Sequence, residues 1–282
     1  MPDSNKFTNS ITPQASLFDL KLKEIWRYRD LLVLFVRRDF VAKYKQTILG
    51  PAWFFIQPLF QTIIFTFVFG SVAGLSTDGA PKIIFYLAGV TAWNYFANCL
   101  KTTSNVFTVN ATLFGKVYFP RAVTPISIVI SNLIQFGIGM ILFLAVYFYY
   151  LWIGREIQPN TSLLLFPLLV ILMGVMGLGL GMLVSAMTTK YRDLQHLIQF
   201  GVQLLMYATP VVYPISVIPE KYQWIIMANP MSGIIEAFRY GFLGKGSLSW
   251  ILLAYSAIFT VVIFVFGLMV FNKTEKNFMD TV

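Results

Sequence analysis

The side chains of this chain that could carry chemistry are few and far apart. One histidine, His196, and one cysteine, Cys99, supply neither a metal-ligand cluster nor a thiol–imidazole pair, and they leave no intramolecular disulfide to form. Glu236 precedes Arg239 by three residues, the spacing of an ion pair on one helical face. The nearest approach to a phosphate-binding loop is Gly244-Lys245-Gly246, with Gly where Ser or Thr must follow the lysine and Arg239 where the first glycine belongs. Metalloprotease and serine-nucleophile patterns are missing as well. The sequence therefore predicts a chain that is not an enzyme by itself and has neither metal nor cofactor of its own.

What the chain has in quantity is aromatic surface: 27 Phe, 14 Tyr and 6 Trp, or 17% of all residues. Trp53, Tyr149, Tyr150 and Trp152 stand at the ends of apolar runs, where interfacial belts place such rings. Phe60, Tyr86, Trp93, Tyr95, Phe96, Tyr147 and Tyr207 stand inside the runs. Aromatic faces stack on the C–H faces of sugars while hydroxyls bond the ring edges, so these seven are candidates for a path along which a glycan slides. Packing and lipid contact are the competing roles for each.

The elements that must position these rings are apolar helices. Six stretches contain no Asp, Glu, Lys or Arg: 51–77, 83–100, 122–154, 157–189, 194–219 and 246–272. Each is long enough, or nearly so, to cross a hydrocarbon core of about 30 Å at about 1.5 Å per residue. Backbone amides in lipid must bond within their own segment, and the lengths far exceed a barrel strand, so the expected fold class is an all-α membrane protein with six transmembrane helices. Of the 21 Lys and Arg residues, sixteen fall in the connections on the N-terminal side and five on the other. That bias places both termini in the cytoplasm and accounts for the net charge of +9 without nucleic acid. With 57% hydrophobic residues, no connection is long enough to hold a soluble domain, so any energy source must be another polypeptide.

Along the chain, residues 1–16 read as a disordered polar tail and show no cleaved signal peptide pattern. Residues 17–46 read as an amphipathic interfacial helix. Its apolar face is Leu22, Trp26, Val33, Val36, Phe40 and Tyr44, and Lys23, Arg27, Arg38 and Lys45 lie opposite. Spans are expected near 51–73, 83–105, 122–152, 163–187, 194–213 and 248–271. The third run exceeds the membrane thickness, with Pro125 a natural place for a break. Gly177 and Gly181, four residues apart, offer a close helix approach. Pro210, Pro214, Pro219 and Pro230 cut the segment before the last span into pieces too short to cross. These are either half-helices re-entering over 214–244 or a pair lying on the surface. Residues 273–282 form a second cytoplasmic tail.

Gly50-Pro51-Ala52-Trp53 is followed by Gln57-Pro58, Phe67-Val68-Phe69-Gly70 and Phe119-Pro120-Arg121. Then come Lys190-Tyr191-Arg192-Asp193-Leu194, Thr209-Pro210-Val211-Val212-Tyr213-Pro214, Asn229-Pro230-Met231 and Phe238-Arg239. In this order, over residues 20–272, the series resembles the type-2 ABC exporter permeases that move O-antigen, capsular polysaccharide or teichoic acid. The resemblance implies a homodimer in the bacterial inner membrane, paired with two copies of an ABC ATPase subunit that binds ATP and Mg. It implies a lipid-linked polysaccharide as substrate, O-antigen being preferred on overall likeness. It assigns contact with the ATPase to the 17–46 helix and the 110–121 loop, at Phe114, Gly115, Lys116 and Tyr118. It makes 214–244 an outer gate, with Tyr213, Pro214, Glu236 and Arg239 as its candidate residues. Arg37, Arg38 and Arg121 are candidates for the phosphate that joins lipid to sugar, against ordinary headgroup anchoring. A drug or small-lipid exporter of the same architecture and a scaffold without a transport path remain as alternatives.

Overall fold

The computed structural model describes residues 22–45, 47–117, 119–154, 157–191 and 193–278. The expected N-terminal tail, Tyr118, Arg192 and the last four residues lie outside the described residues. Every regular element among the described residues is helical.

Among the described residues, five helices are long and apolar enough to cross a membrane. The first opens with a 3-10 turn at Gly50–Ala52, where Pro51 takes an early position that needs no N–H partner. It continues as α3, Trp53–Phe65, and ends in a π-helical stretch, Thr66–Val72. The others are α4 (Lys82–Thr103), α7 (Val123–Trp152), α8 (Phe166–Thr188, preceded by a 3-10 turn at Thr161–Leu165) and α12 (Trp250–Phe278). The expected break at Pro125 is not used. Proline sits in the first turn of α7, where it costs no hydrogen bond, and 30 residues of helix reach about 45 Å.

The fifth expected crossing takes a different form. It is α9, Leu194–Tyr207, only 14 residues, or about 21 Å. Pro210 and Pro214 forbid its continuation. The chain then turns through Ile215–Val217 into two short helices, α10 (Glu220–Met227) and α11 (Pro230–Leu243). Their corner is built by Asn229, whose side-chain oxygen caps α11 at the Met231 N–H while Pro230 occupies the first helical position. Gly244, at φ 64°, closes α11 in the left-handed conformation that glycine adopts without strain.

The N-terminal residues form α1 (Leu22–Arg27) and α2 (Arg29–Tyr44), and two connecting turns of helix are α5 (Val106–Val109) and α6 (Ala111–Phe114). The expected lipid-facing surface of the N-terminal helix is divided, with Val36 and Phe40 half-buried and Phe40 stacked on Phe54 at a centroid distance of 5.7 Å. Ile25 and Phe35 are buried, whereas Trp26 and Val33 are 71% and 63% exposed and point away from the bundle. The inward stripe packs on α7 and joins Phe107, Phe114, Phe119 and Phe271 in a cluster at the α2 end of the bundle.

Helix α4 is the centre. It touches α3, α7, α8, α9 and α11, and 83% of its apolar stretch is buried, against 11% for the first span. The close approach of α8 explains part of this. A Cβ on Gly177 would stand 2.7 Å from the Cys99 Cβ, and one on Gly181 would stand 2.5 Å from the Thr103 Cβ. The four-residue glycine spacing is thus a packing groove for α4.

Candidate functional site

Three places in the bundle gather polar or aromatic side chains that ordinary membrane packing does not require. The first is the junction of α9 with the α10–α11 hairpin, at the end opposite α2. Arg239 is 2% exposed. Its guanidinium donates through Nη1 to the Pro210 carbonyl at 2.5 Å and through Nη2 to the Val211 carbonyl, and it lies over the Phe85 ring at 3.7 Å from the centroid. Glu236, one turn earlier, approaches Nη1 at 3.7 Å. The pair predicted from sequence therefore exists, and its larger role is to hold the two carbonyls left unbonded where α9 ends. Gly89 of α4 makes room: a Cβ there would stand 2.5 Å from Arg239 Nη2 and 2.8 Å from the Val211 carbonyl.

The hairpin corner is tied on both sides. Asn229 Nδ2 donates to Thr209 Oγ1 at 2.7 Å, and Ser256 Oγ of α12 donates to the Pro230 carbonyl at 2.6 Å. Tyr213 is half-buried and donates its hydroxyl to the Tyr207 carbonyl at 2.8 Å, while Pro214 is buried beside it. Ser216 Oγ reaches Asp78 Oδ1 at 2.6 Å, joining this region to the turn after the first span. The four candidate gate residues thus lie in one continuous assembly.

The second place is a cavity of 690 Å³ between α3, α4 and α7. Its walls are mostly amides and hydroxyls, including Gln57 and Gln61 from α3, Thr91, Asn94 and Asn98 from α4, and Gln135 from α7. Trp53, Phe54, Tyr95 and Phe136 add rings. Asn94 Nδ2 donates to Gln61 Oε1 at 3.2 Å. The third place, of 780 Å³, lies beside it towards α2, lined by Arg38, Asp39, Lys43, Lys101, Asn105 and His196 among others. Lys43, Thr102 and Asn132 line both. Burial pushes the Lys43 ammonium below the usual lysine range, opposed by the nearby Asp39 carboxylate.

Residues 30–243 match the family described as ABC-2 type transporter. The chain belongs to the ABC-2 type transporter family. Among its relatives are the O-antigen export system permease proteins RfbA of Klebsiella pneumoniae, 29% identical over 89% of this chain and 94% of theirs, and of Myxococcus xanthus, 29% identical over 77% and 82%. The polysialic acid transport protein KpsM of Escherichia coli is 21% identical over 86% of this chain and 93% of its own.

In this ABC-2 chain the seven sequence-predicted path aromatics separate into three sets. Tyr86, Trp93, Phe96 and Tyr147 are buried in the protomer's own core, and Tyr147 belongs to a ring cluster with Phe143 and Phe242 at centroid distances of 6.0 and 5.8 Å. Phe60 and Tyr207 are 59% and 43% exposed. Tyr95 is buried yet lines the amide cavity. The basic candidates also differ. Arg37 is exposed, and Arg38 lines the second cavity while bonding Asp39 at 2.8 Å. Arg121 is turned inward to the Glu275 carbonyl at 2.7 Å and stacks over Phe114 at 5.4 Å. In the 104–122 connection Phe114 is a buried anchor, and Gly115, Lys116 and Val117 form the exposed tip.

Lys43, Lys101 and the amides were missed by a search confined to ionisable residues inside the uncharged runs and to aromatics. A signal was present: Thr91, Asn94, Asn98 and Thr102 recur at three- and four-residue steps, one polar stripe along an otherwise apolar helix.

Proposed function

We propose that this chain is the permease subunit of an ABC exporter that moves a lipid-linked polysaccharide, such as O-antigen or a similar surface glycan, across the bacterial inner membrane. The observation that carries this reading is the likeness to O-antigen and polysialic acid export permeases over most of both chains. Five long apolar helices and an amide-lined cavity fit a conduit for a hydroxyl-rich substrate.

The working unit is a homodimer with two copies of a separate ATPase subunit, which holds ATP and Mg and supplies the free energy. Both termini face the cytoplasm, as the excess of Lys and Arg on that side favours. The α9 helix crosses the inner part of the membrane, and the α10–α11 hairpin re-enters from the outer face to complete a sixth crossing. The proline-broken sequence and the shortness of α9, α10 and α11 support that geometry.

The exposed tip at Gly115 and Lys116 receives the motor, with Phe114 fixing the tip to the bundle. Tyr118 belongs to the same proposed contact. Arg239 with Glu236, and Tyr213 with Pro214, hold the outer hairpin in place until glycan passes. Phe60 and Tyr207 offer the rings accessible to substrate, Tyr95 stands buried in the wall of the amide cavity, and Tyr86, Trp93, Phe96 and Tyr147 support the bundle behind them. Arg37 and Arg38 stand where an anionic headgroup in the inner leaflet would meet them.

The test is reconstitution of the chain with its ATPase in vesicles loaded from the outside with lipid-linked glycan. ATP-dependent transfer of the glycan to the lumen, absent without the ATPase, is the expected result. ATPase stimulation by hydrophobic small molecules but not by glycan would replace this reading with a drug or small-lipid exporter.

A further inference from the structure

We infer that each protomer contains its own two-part binding site for a phosphate-linked sugar on a lipid, with the phosphate held at Lys43 and Lys101 and the first sugar received by the amide cavity above them. This rests on the proposed export function and locates where the cargo is recognised before it is moved.

The charge balance of the cavity nearer α2 points to an anion. Arg38, Lys43 and Lys101 face it, with Asp39 as the carboxylate among its lining residues. Arg38 already bonds Asp39 and lies over Phe35 at 4.6 Å, so the carboxylate is largely answered by one of the three cations. Lys43 Nζ donates to Asn132 Oδ1 at 3.0 Å, which uses one of three ammonium donors. The Lys43 side chain is open to the cavity, so its two remaining donors can meet a phosphate oxygen, which makes a stronger, charge-assisted bond than a neutral amide does. The same cavity is bordered by Val109 and Phe200, which are 73% and 60% exposed, so an acyl or isoprenyl chain attached to the phosphate has apolar surface beside it.

The neighbouring cavity has the chemistry of sugar recognition. Its polar lining is almost entirely neutral, which suits hydroxyls rather than ions. Thr91 Oγ1 and Gln135 Nε2 are buried behind this lining without a hydrogen-bond partner, as is Ser131 Oγ on the phosphate side. Groups of this kind cost about 1–3 kcal/mol each when unsatisfied, and they lie just behind the walls of the two joined cavities, where a small turn of each side chain would bring it to a polar molecule held there. Lys43, Asn132 and Thr102 make the junction, linked by Asn132 Nδ2 donating to Thr102 Oγ1 at 3.0 Å. From Thr102 to Thr91 the α4 wall rises about 16 Å, and Tyr95 and Phe136 present their rings along it at a centroid distance of 4.9 Å.

The test uses the full chain in phosphatidylcholine nanodiscs and reads binding from tryptophan fluorescence, which Trp53 at the cavity wall should report. Three probes are titrated: inorganic pyrophosphate, farnesyl diphosphate, and farnesyl diphosphate carrying N-acetylglucosamine. Affinity should rise in that order. Lys43→Gln, which keeps an amide for Asn132, should weaken both farnesyl probes about tenfold, the size of one charge-assisted bond, while Lys43→Arg restores most of it. Gln135→Leu should weaken the sugar-bearing probe alone. Thermal melting of each variant shows that it is folded, and Lys101→Gln provides the same reading should Lys43→Gln melt early.

An effect of Lys43→Gln and Lys101→Gln no larger than that of Lys190→Gln, an exposed lysine remote from both cavities, overturns the phosphate site. Equal weakening of both farnesyl probes by Gln135→Leu overturns the sugar assignment, and pyrophosphate binding as tightly as farnesyl diphosphate overturns the lipid. Glycan delivery in cells distinguishes the two levels. Export by the native chain with no binding loss in the variants rejects this site and keeps the exporter, whereas the binding pattern without any export rejects the exporter.

Discussion

The guanidinium of Arg239 rests on the ring of Phe85, 3.7 Å from its centroid, and from there reaches the carbonyls of Pro210 and Val211. One side chain thereby joins α11, the central α4 and the end of α9. Arg239→Met is expected to destabilise the chain by about 3–5 kcal/mol, because two carbonyls and Glu236 lose their partner together. Phe85→Leu should cost about 1–2 kcal/mol through the lost cation–π contact. Melting in detergent and a double-mutant cycle check both values, and strict additivity would show that the ring and the guanidinium are energetically separate.

Gly89→Ala tests the same junction from the α4 side. The new methyl group would meet Arg239 and the Val211 carbonyl inside normal contact distance, and the latter is backbone that cannot swing away. Lower melting temperature and altered glycan export should appear together. A variant that is stable and exports normally would show that the junction is looser than described.

The aromatic residues should divide by burial. Tyr86→Ala and Trp93→Ala remove fully packed side chains and are expected to cost about 3–5 kcal/mol. Phe60→Ala and Tyr207→Ala, at exposed positions, should leave melting nearly unchanged while reducing export. Equal export losses in all four, with equal stability, would reject the division.

At the other end of the bundle Lys116→Glu should weaken stimulation of the partner ATPase with little change in stability, since the side chain is exposed at the tip. Phe114→Ala should instead reduce stability, because the ring is buried against Phe107 and Phe119 at centroid distances of 6.0 and 5.8 Å. Measuring ATPase rate and melting for both variants separates contact from anchorage.

These contrasts follow the boundary between what sequence pattern can and cannot carry. The all-helical apolar architecture was legible because long uncharged runs leave the backbone no other way to satisfy itself in lipid. The Glu236–Arg239 pair was legible from spacing, and the Gly177–Gly181 groove likewise. The inward face of α1 and α2 was not, because apolar residues lie on two sides of this segment and only tertiary contact shows that Ile25 and Phe35 face protein. Helix α9 ends at Tyr207, ahead of Pro210 and Pro214, although hydropathy continues through both prolines. Buried aromatics also look identical in sequence whether they face a path or a neighbouring helix. Arg121 was read by charge alone, and its partner is a backbone carbonyl more than 150 residues away.

The outer junction is closed by a side chain that grips main chain. Because Arg239 bonds the carbonyls of residues 210 and 211 rather than their side chains, the fastening depends on where that backbone lies, and the fully buried Val211 side chain helps to keep it there. The bare Cα of Gly89 leaves the room that both the guanidinium and this carbonyl occupy. A single long cation thus ties three segments together through main chain, a bond that asks nothing of the polar chemistry of residues 210 and 211.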